Sequence, residues 1–90
     1  MIARKFLISG DVQGVGYRFF AQRAAARHQV TGYVRNLADG RVEAWVEGPA
    51  SDVNGFRIDL EAGPMLADVR LIEETVIEPS GRYLQFRVEK

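Results

Sequence analysis

The chain contains no cysteine in 90 residues. That excludes disulfides, thiolate metal ligands and cysteine nucleophiles. Histidine occurs once, at position 28, and acidic residues do not recur at metal-ligand spacing, so no metal site is expected. The formal net charge is zero, which argues against a general nucleic-acid binder. No apolar stretch is long enough to span a bilayer, so no membrane association is expected. Met1-Ile2-Ala3-Arg4 runs directly into a strand-like segment, with no signal-peptide pattern. The expectation is a cytoplasmic protein. Linkers, low-complexity tracts and long-period repeats are also missing. Residues 1–90 read as a single domain, large enough to bury roughly 60–70% of its unfolded surface in one core.

What is present is concentrated in one stretch, Gly10-Asp11-Val12-Gln13-Gly14-Val15-Gly16-Tyr17-Arg18. Glycines at 10, 14 and 16 allow tight turns and a close backbone approach to a ligand. The stretch leads into a segment of helical spacing that starts at Tyr17. A helix N-terminus offers unpaired N–H groups and the positive end of the dipole, both favourable to an anion. Arg18 falls in the first turn, and its guanidinium fork suits phosphate or carboxylate. Together these describe an anion cradle. The spacing alone fits a plain turn into a helix equally well, because it spells neither the dinucleotide fingerprint nor a P-loop. Charge is uneven along the chain. Residues 1–45 carry seven Lys/Arg against three Asp/Glu, and residues 46–90 carry five against nine.

Arg4 to Ser9 reads as a first strand. Tyr17 to about Gln29 reads as a helix, with Tyr17, Phe20, Ala21, Ala24, Ala25 and His28 on one face and Arg23 and Arg27 towards the other. Arg18 lies off the buried stripe, free to point into the loop mouth. Thr31 to Asn36 is a second strand, and Asp39-Gly40 signals a hairpin. Arg41 to Glu47 alternates, with Val42, Ala44 and Val46 on one face and Glu43, Trp45 and Glu47 on the other. Ser51 or Asp52 is placed to cap a second helix reaching Ala62, with Val53, Phe56 and Leu60 buried. Gly63-Pro64 stops it. Ala67 to Ile77 is a long strand, Pro79-Ser80-Gly81 a turn, and Leu84, Phe86 and Val88 mark a final strand. The order is βαββαβ plus a terminal strand. It predicts an α+β, ferredoxin-like sandwich with two helices on one face of a mainly antiparallel sheet of four to five strands.

The wording of two stretches is more specific than their spacing. Gly10 to Arg18 resembles the first signature of the acylphosphatases. Gly32-Tyr33-Val34-Arg35-Asn36, continuing through Gly40, Val42 and Gly48, resembles their second. Chain length and element order agree, so the resemblance covers the whole chain. Asp11 stands at a variable position of the pattern, where a basic residue is common; its carboxylate beside an anion site opposes binding but does not break the motif.

The resemblance implies hydrolysis of a carboxyl-phosphate bond to a carboxylate and inorganic phosphate. It implies that Arg18 holds the phosphoryl group with backbone N–H groups of Gln13, Gly14, Val15, Gly16, Tyr17 and Arg18. It implies that Asn36 orients the attacking water, and that neither metal nor cofactor is needed. The expected partners are a small acyl phosphate substrate and inorganic phosphate as product and competitive inhibitor. A monomer is expected.

That short cast suits the chemistry. Phosphoryl transfer is mostly positioning and electrostatic stabilisation of equatorial oxygens. The leaving carboxylate has a conjugate acid of pKa about 4 and departs unprotonated. No obvious base stands in either signature, Asn36 cannot serve at neutral pH, and the substrate phosphate itself is the acceptor inferred for the water's proton.

Other candidates have plainer readings. His28 reads as a packed or dipole-stabilised histidine. Glu73 and Glu74 face opposite sides of a strand and do not form a pair. Tyr33 and Trp45 fit sheet packing. A ferredoxin-like fold also serves RNA-recognition modules, but Thr31 to Asn36 carries one aromatic and lacks the rest of that pattern. A non-catalytic phosphate-binding module is the remaining alternative.

Overall fold

A computed structural model describes residues 1–90. The elements are β1 (Ile2–Asp11), α1 (Tyr17–His28), β2 (Thr31–Asn36), β3 (Val42–Gly48), α2 (Ala50–Ala62), β4 (Asp68–Ile77) and β5 (Phe86–Glu89). They form a five-stranded sheet in the order β4-β1-β3-β2-β5. Only the β2–β5 pair is parallel. With both helices packed on one face, this is the ferredoxin-like α+β arrangement that the element order predicts. No helix is long and apolar enough to cross a membrane.

The core lies between the sheet and the helices. Phe6 and Ile8 of β1, Val34 of β2, and Val42, Ala44 and Val46 of β3 meet Tyr17, Ala21, Ala24 and Ala25 of α1 and Val53, Phe56 and Leu60 of α2. Fully burying a side chain such as Phe56 or Leu60 contributes about 1.5–3 kcal/mol. The small alanines let α1 sit close to the sheet, which fixes its N-terminus against the strand ends. Phe20 and His28 share this stripe but are only half-buried. His28 lies against Asp59 of α2, 2.7 Å from its carboxylate, and its ring fills the space beside Gly55, where a Cβ would lie 2.6 Å from it.

One local expectation needs correction. Neither Ser51 nor Asp52 caps α2. Its N-cap is Pro49, and no side chain bonds the first turn; Pro49 takes an extended backbone that starts the helix without a cap. Glu43 and Glu47, on the alternate face of β3, are buried. The segment between β4 and β5 folds back over this helix-free face. The backbone N–H groups of Ser80 and Gly81 donate to the Glu47 carboxylate at 3.0 and 2.7 Å. Tyr83 packs on Tyr33 and Trp45, with ring centroids 5.9 and 5.1 Å away. Ion pairs also join the two halves: Arg4 pairs with Glu74 and Arg27 with Asp59, while Lys5 lies 3.7 Å from Glu43 within the first half.

Glu43 engages three partners at once. The Tyr33 hydroxyl and Arg35 Nε each donate to it at 2.8 Å. Burial pushes its carboxyl up, but these hydrogen bonds and the Arg35 and Lys5 charges outweigh burial and hold it below the usual range. A depressed folded pKa means that the stabilisation is present above the unfolded value, about 4.3, and is lost as pH falls through the lower folded value. We expect Glu43→Gln to lower stability at pH 7 by about 1–3 kcal/mol. Urea unfolding at pH 7 and pH 3 checks this: the gap between variant and wild type should narrow in acid. An undiminished gap at pH 3 would show that charge pairing is not its source.

Candidate active site

The two signatures meet at one end of the sheet. β1 runs to Asp11, two residues past the expected strand end, because its register on β4 shifts between Ser9 and Gly10. Gly10 has φ 129°, and a Cβ there would lie 2.0 Å from the Asp68 carbonyl oxygen. Only glycine lets the two strands pass this closely. The chain then makes a loop whose Gly16, at φ 77°, is the left-handed N-cap of α1. Val12 points inward and is buried, pinning the loop to the core.

No side chain caps α1, and its first turn carries no acidic residue. The first helical bond runs from the Phe20 N–H to the Gly16 carbonyl at 3.0 Å. The N–H groups of Tyr17, Arg18 and Phe19 therefore keep the free donors of a helix start. Tyr17 is the anchor beneath them. It is buried, and its hydroxyl donates to the Leu60 carbonyl at 2.6 Å. Burial raises the phenol well above its ordinary value, so it remains a donor at neutral pH.

Val12, Gly14, Gly16, Tyr17, Arg18, Phe19 and Asn36 line one cleft of about 110 Å³. Arg18 and Asn36, separated by 18 positions in sequence, thus share a single wall. Asn36 is the last residue of β2, and its Oδ1 is buried with no hydrogen-bond partner from the protein. An unpaired buried acceptor is costly, and functional sites are where such groups are tolerated. Arg18 is half-buried and donates from Nη1 to the Glu89 carbonyl of β5 at 2.8 Å. It is therefore not swinging freely in the loop mouth but held from the far side.

Gln13 does not face the cleft. Its Nε2 donates to the carbonyls of Leu37 and Arg41 at 2.8 and 2.9 Å, bonding the glycine loop to the β2–β3 hairpin just beyond Asn36. Val15 packs against the core. Sequence reasoning missed this side-chain bond, the Glu89 contact and the place of Phe19. For Phe19 a signal existed: a large aromatic off the buried stripe, beside Arg18. A larger open depression of about 620 Å³ lies near the start of β5, lined by Arg82, Tyr83, Leu84, Gln85 and Arg87. It contains no helix terminus or glycine loop, and its residues all belong to one short segment. The smaller cleft, where two distant segments and a helix start converge, is the better site. No three His, Asp or Glu side chains come together as a metal site.

The acylphosphatase family model matches residues 4–88. An acylphosphatase of Solibacter usitatus is 54% identical over 72 residues, covering 80% of this chain and 75% of that one. An acylphosphatase of Actinobacillus succinogenes is 40% identical over 90 residues, the full length of both chains. The crystal structure of acylphosphatase from Bacillus subtilis superposes with a TM-score of 0.96 at 31% identity, covering 100% of each chain. Sequence, fold and the convergence of both signatures on one cleft agree: the chain belongs to the acylphosphatase family of hydrolases.

Proposed function

We propose that the chain, acting as one domain over residues 1–90, hydrolyses acyl phosphates to a carboxylate and inorganic phosphate. The observation that carries this reading is the shared cleft, in which Arg18, the α1 N-terminus and Asn36 face one small volume. The phosphoryl group sits over the free N–H groups of the loop and helix start, from Gln13 to Arg18. Arg18 adds its guanidinium, pre-aimed by the Glu89 carbonyl. These donors are fixed before substrate arrives, so they stabilise charge on the equatorial oxygens without reorganising. The Asn36 carboxamide holds water for in-line attack, its unpaired Oδ1 accepting one O–H. The water oxygen bonds to phosphorus as the bond to the acyl oxygen breaks. The carboxylate leaves with that electron pair, and the water's proton passes to a phosphoryl oxygen.

The donors at this cleft are N–H groups, which bind anions rather than cations, so the reading is metal-independent. It extends to a cytoplasmic monomer acting on small molecules, with inorganic phosphate as competitive inhibitor. The test is hydrolysis of benzoyl phosphate by purified protein with and without exhaustive chelation. Turnover should be equal in both. Loss in chelator, restored by added divalent metal, would overturn the metal-free mechanism. Phosphate binding with no turnover would instead favour a binding module.

Gln13→Ala provides a separate check on positioning. Losing two hydrogen bonds that hold loop to hairpin should destabilise the protein by about 1–2 kcal/mol. It should also lower kcat more than it weakens phosphate inhibition, because it lets the cradle and Asn36 drift apart. Steady-state kinetics with phosphate as inhibitor would show the split.

A further inference from the structure

The cleft is small. Ligand pockets typically span about 300–1,000 Å³, and at about 110 Å³ this cleft is far smaller, a fit for the phosphoryl end of a substrate rather than for a whole molecule. The acyl group must therefore lie across the rim. Among the lining residues, Val12 and Tyr17 are buried beneath the cleft, and Gly14 and Gly16 have no side chain to offer. Arg18 and Asn36 face the reacting atoms. The one large side chain left at the rim is Phe19, which is 59% exposed.

The lining also holds only one charged residue, Arg18, and the phosphoryl group engages it. A second anionic group on the acyl part would find no cation among these residues. An apolar or aromatic acyl group would find the Phe19 ring. We propose that Phe19 is the acyl-side contact of the site and biases it towards aromatic acyl phosphates over small ones. This rests on the acylphosphatase reading above and adds a specificity determinant to it.

Phe19 belongs to no packed cluster of the core. Exposed on the first turn of α1, it lines the cleft beside Arg18.

The experiment compares benzoyl phosphate with acetyl phosphate in wild type, Phe19→Ala and Phe19→Leu, with circular dichroism as the fold check. Aromatic contacts beyond simple burial contribute a factor of roughly two to ten. The ratio of kcat/KM for benzoyl over acetyl phosphate should fall by about that factor in Phe19→Ala, chiefly through the KM for benzoyl phosphate. Phe19→Leu, which keeps apolar bulk, should restore part of it. Inhibition by inorganic phosphate, which has no acyl group, should shift less than the benzoyl phosphate KM. An unchanged ratio, or equal losses on both substrates and on phosphate, would overturn the assignment of Phe19 while leaving the hydrolase reading intact. A wild type that turns over neither substrate would overturn the hydrolase reading and this inference with it.

Discussion

Arg18→Ala should show no measurable turnover of benzoyl phosphate and no competitive inhibition by phosphate, in a protein that still folds. An arginine that stabilises charge in phosphoryl transfer contributes about 10³–10⁵ in rate. Here it supplies the only cationic side chain of the cleft, so no neighbour substitutes for it. The structural loss is one hydrogen bond to the Glu89 carbonyl, about 1 kcal/mol. Arg18→Lys should recover little. One ammonium cannot hold the β5 carbonyl and present a planar fork to phosphate at once. Kinetics and thermal unfolding on the same samples separate the two effects. Near-normal activity in folded Arg18→Ala would sink the cradle.

Asn36 should behave differently, and the contrast tests the division of labour. Where Arg18 binds, Asn36 acts on the water, so Asn36→Ala should lower kcat by about 100- to 1,000-fold, roughly 3–4 kcal/mol, and leave phosphate inhibition nearly unchanged. Because Oδ1 has no partner in the protein, its removal breaks no internal bond, and stability should hold or rise slightly. That combination of lost rate with retained stability would not come from a structural residue. Asn36→Asp nearly keeps the shape but exchanges NH₂ donors for a negative charge beside the incoming phosphate. It should impair phosphate binding as well, more so at low salt. A wild-type kcat in folded Asn36→Ala would remove Asn36 from the mechanism.

Much of this arrangement was legible in residue order. Alternation in Val42, Ala44 and Val46, helical spacing from Tyr17, and the Asp39-Gly40 turn each report a local preference that the fold keeps. Both signature stretches could be placed at strand ends for the same reason. What escaped is non-local. Glu43 and Glu47 alternate with apolar residues just as solvent-facing residues do, and nothing near Glu47 in sequence says that Ser80 and Gly81 return to bind it. Leu84 was read as part of a strand from its alternation with Phe86 and Val88, yet it is 95% exposed and the strand starts at Phe86. The Gln13 bonds cross 24 and 28 positions and the Arg18–Glu89 bond crosses 71. Periodicity cannot see such distances, because each depends on how separate elements dock.

The Arg18–Glu89 contact has a bearing on how the enzyme fails under stress. β5 is four residues long, lies at the sheet edge and pairs with β2 alone. Edge segments of this kind open at a lower free energy than the whole molecule. When β5 frays, Phe86 leaves the edge of the core and the guanidinium loses its backstop, while the rest of the core under Tyr17 stays packed. Catalytic output on warming should then decline ahead of the cooperative melt and return in full on cooling. The working temperature range would be set by one short strand rather than by the stability of the domain.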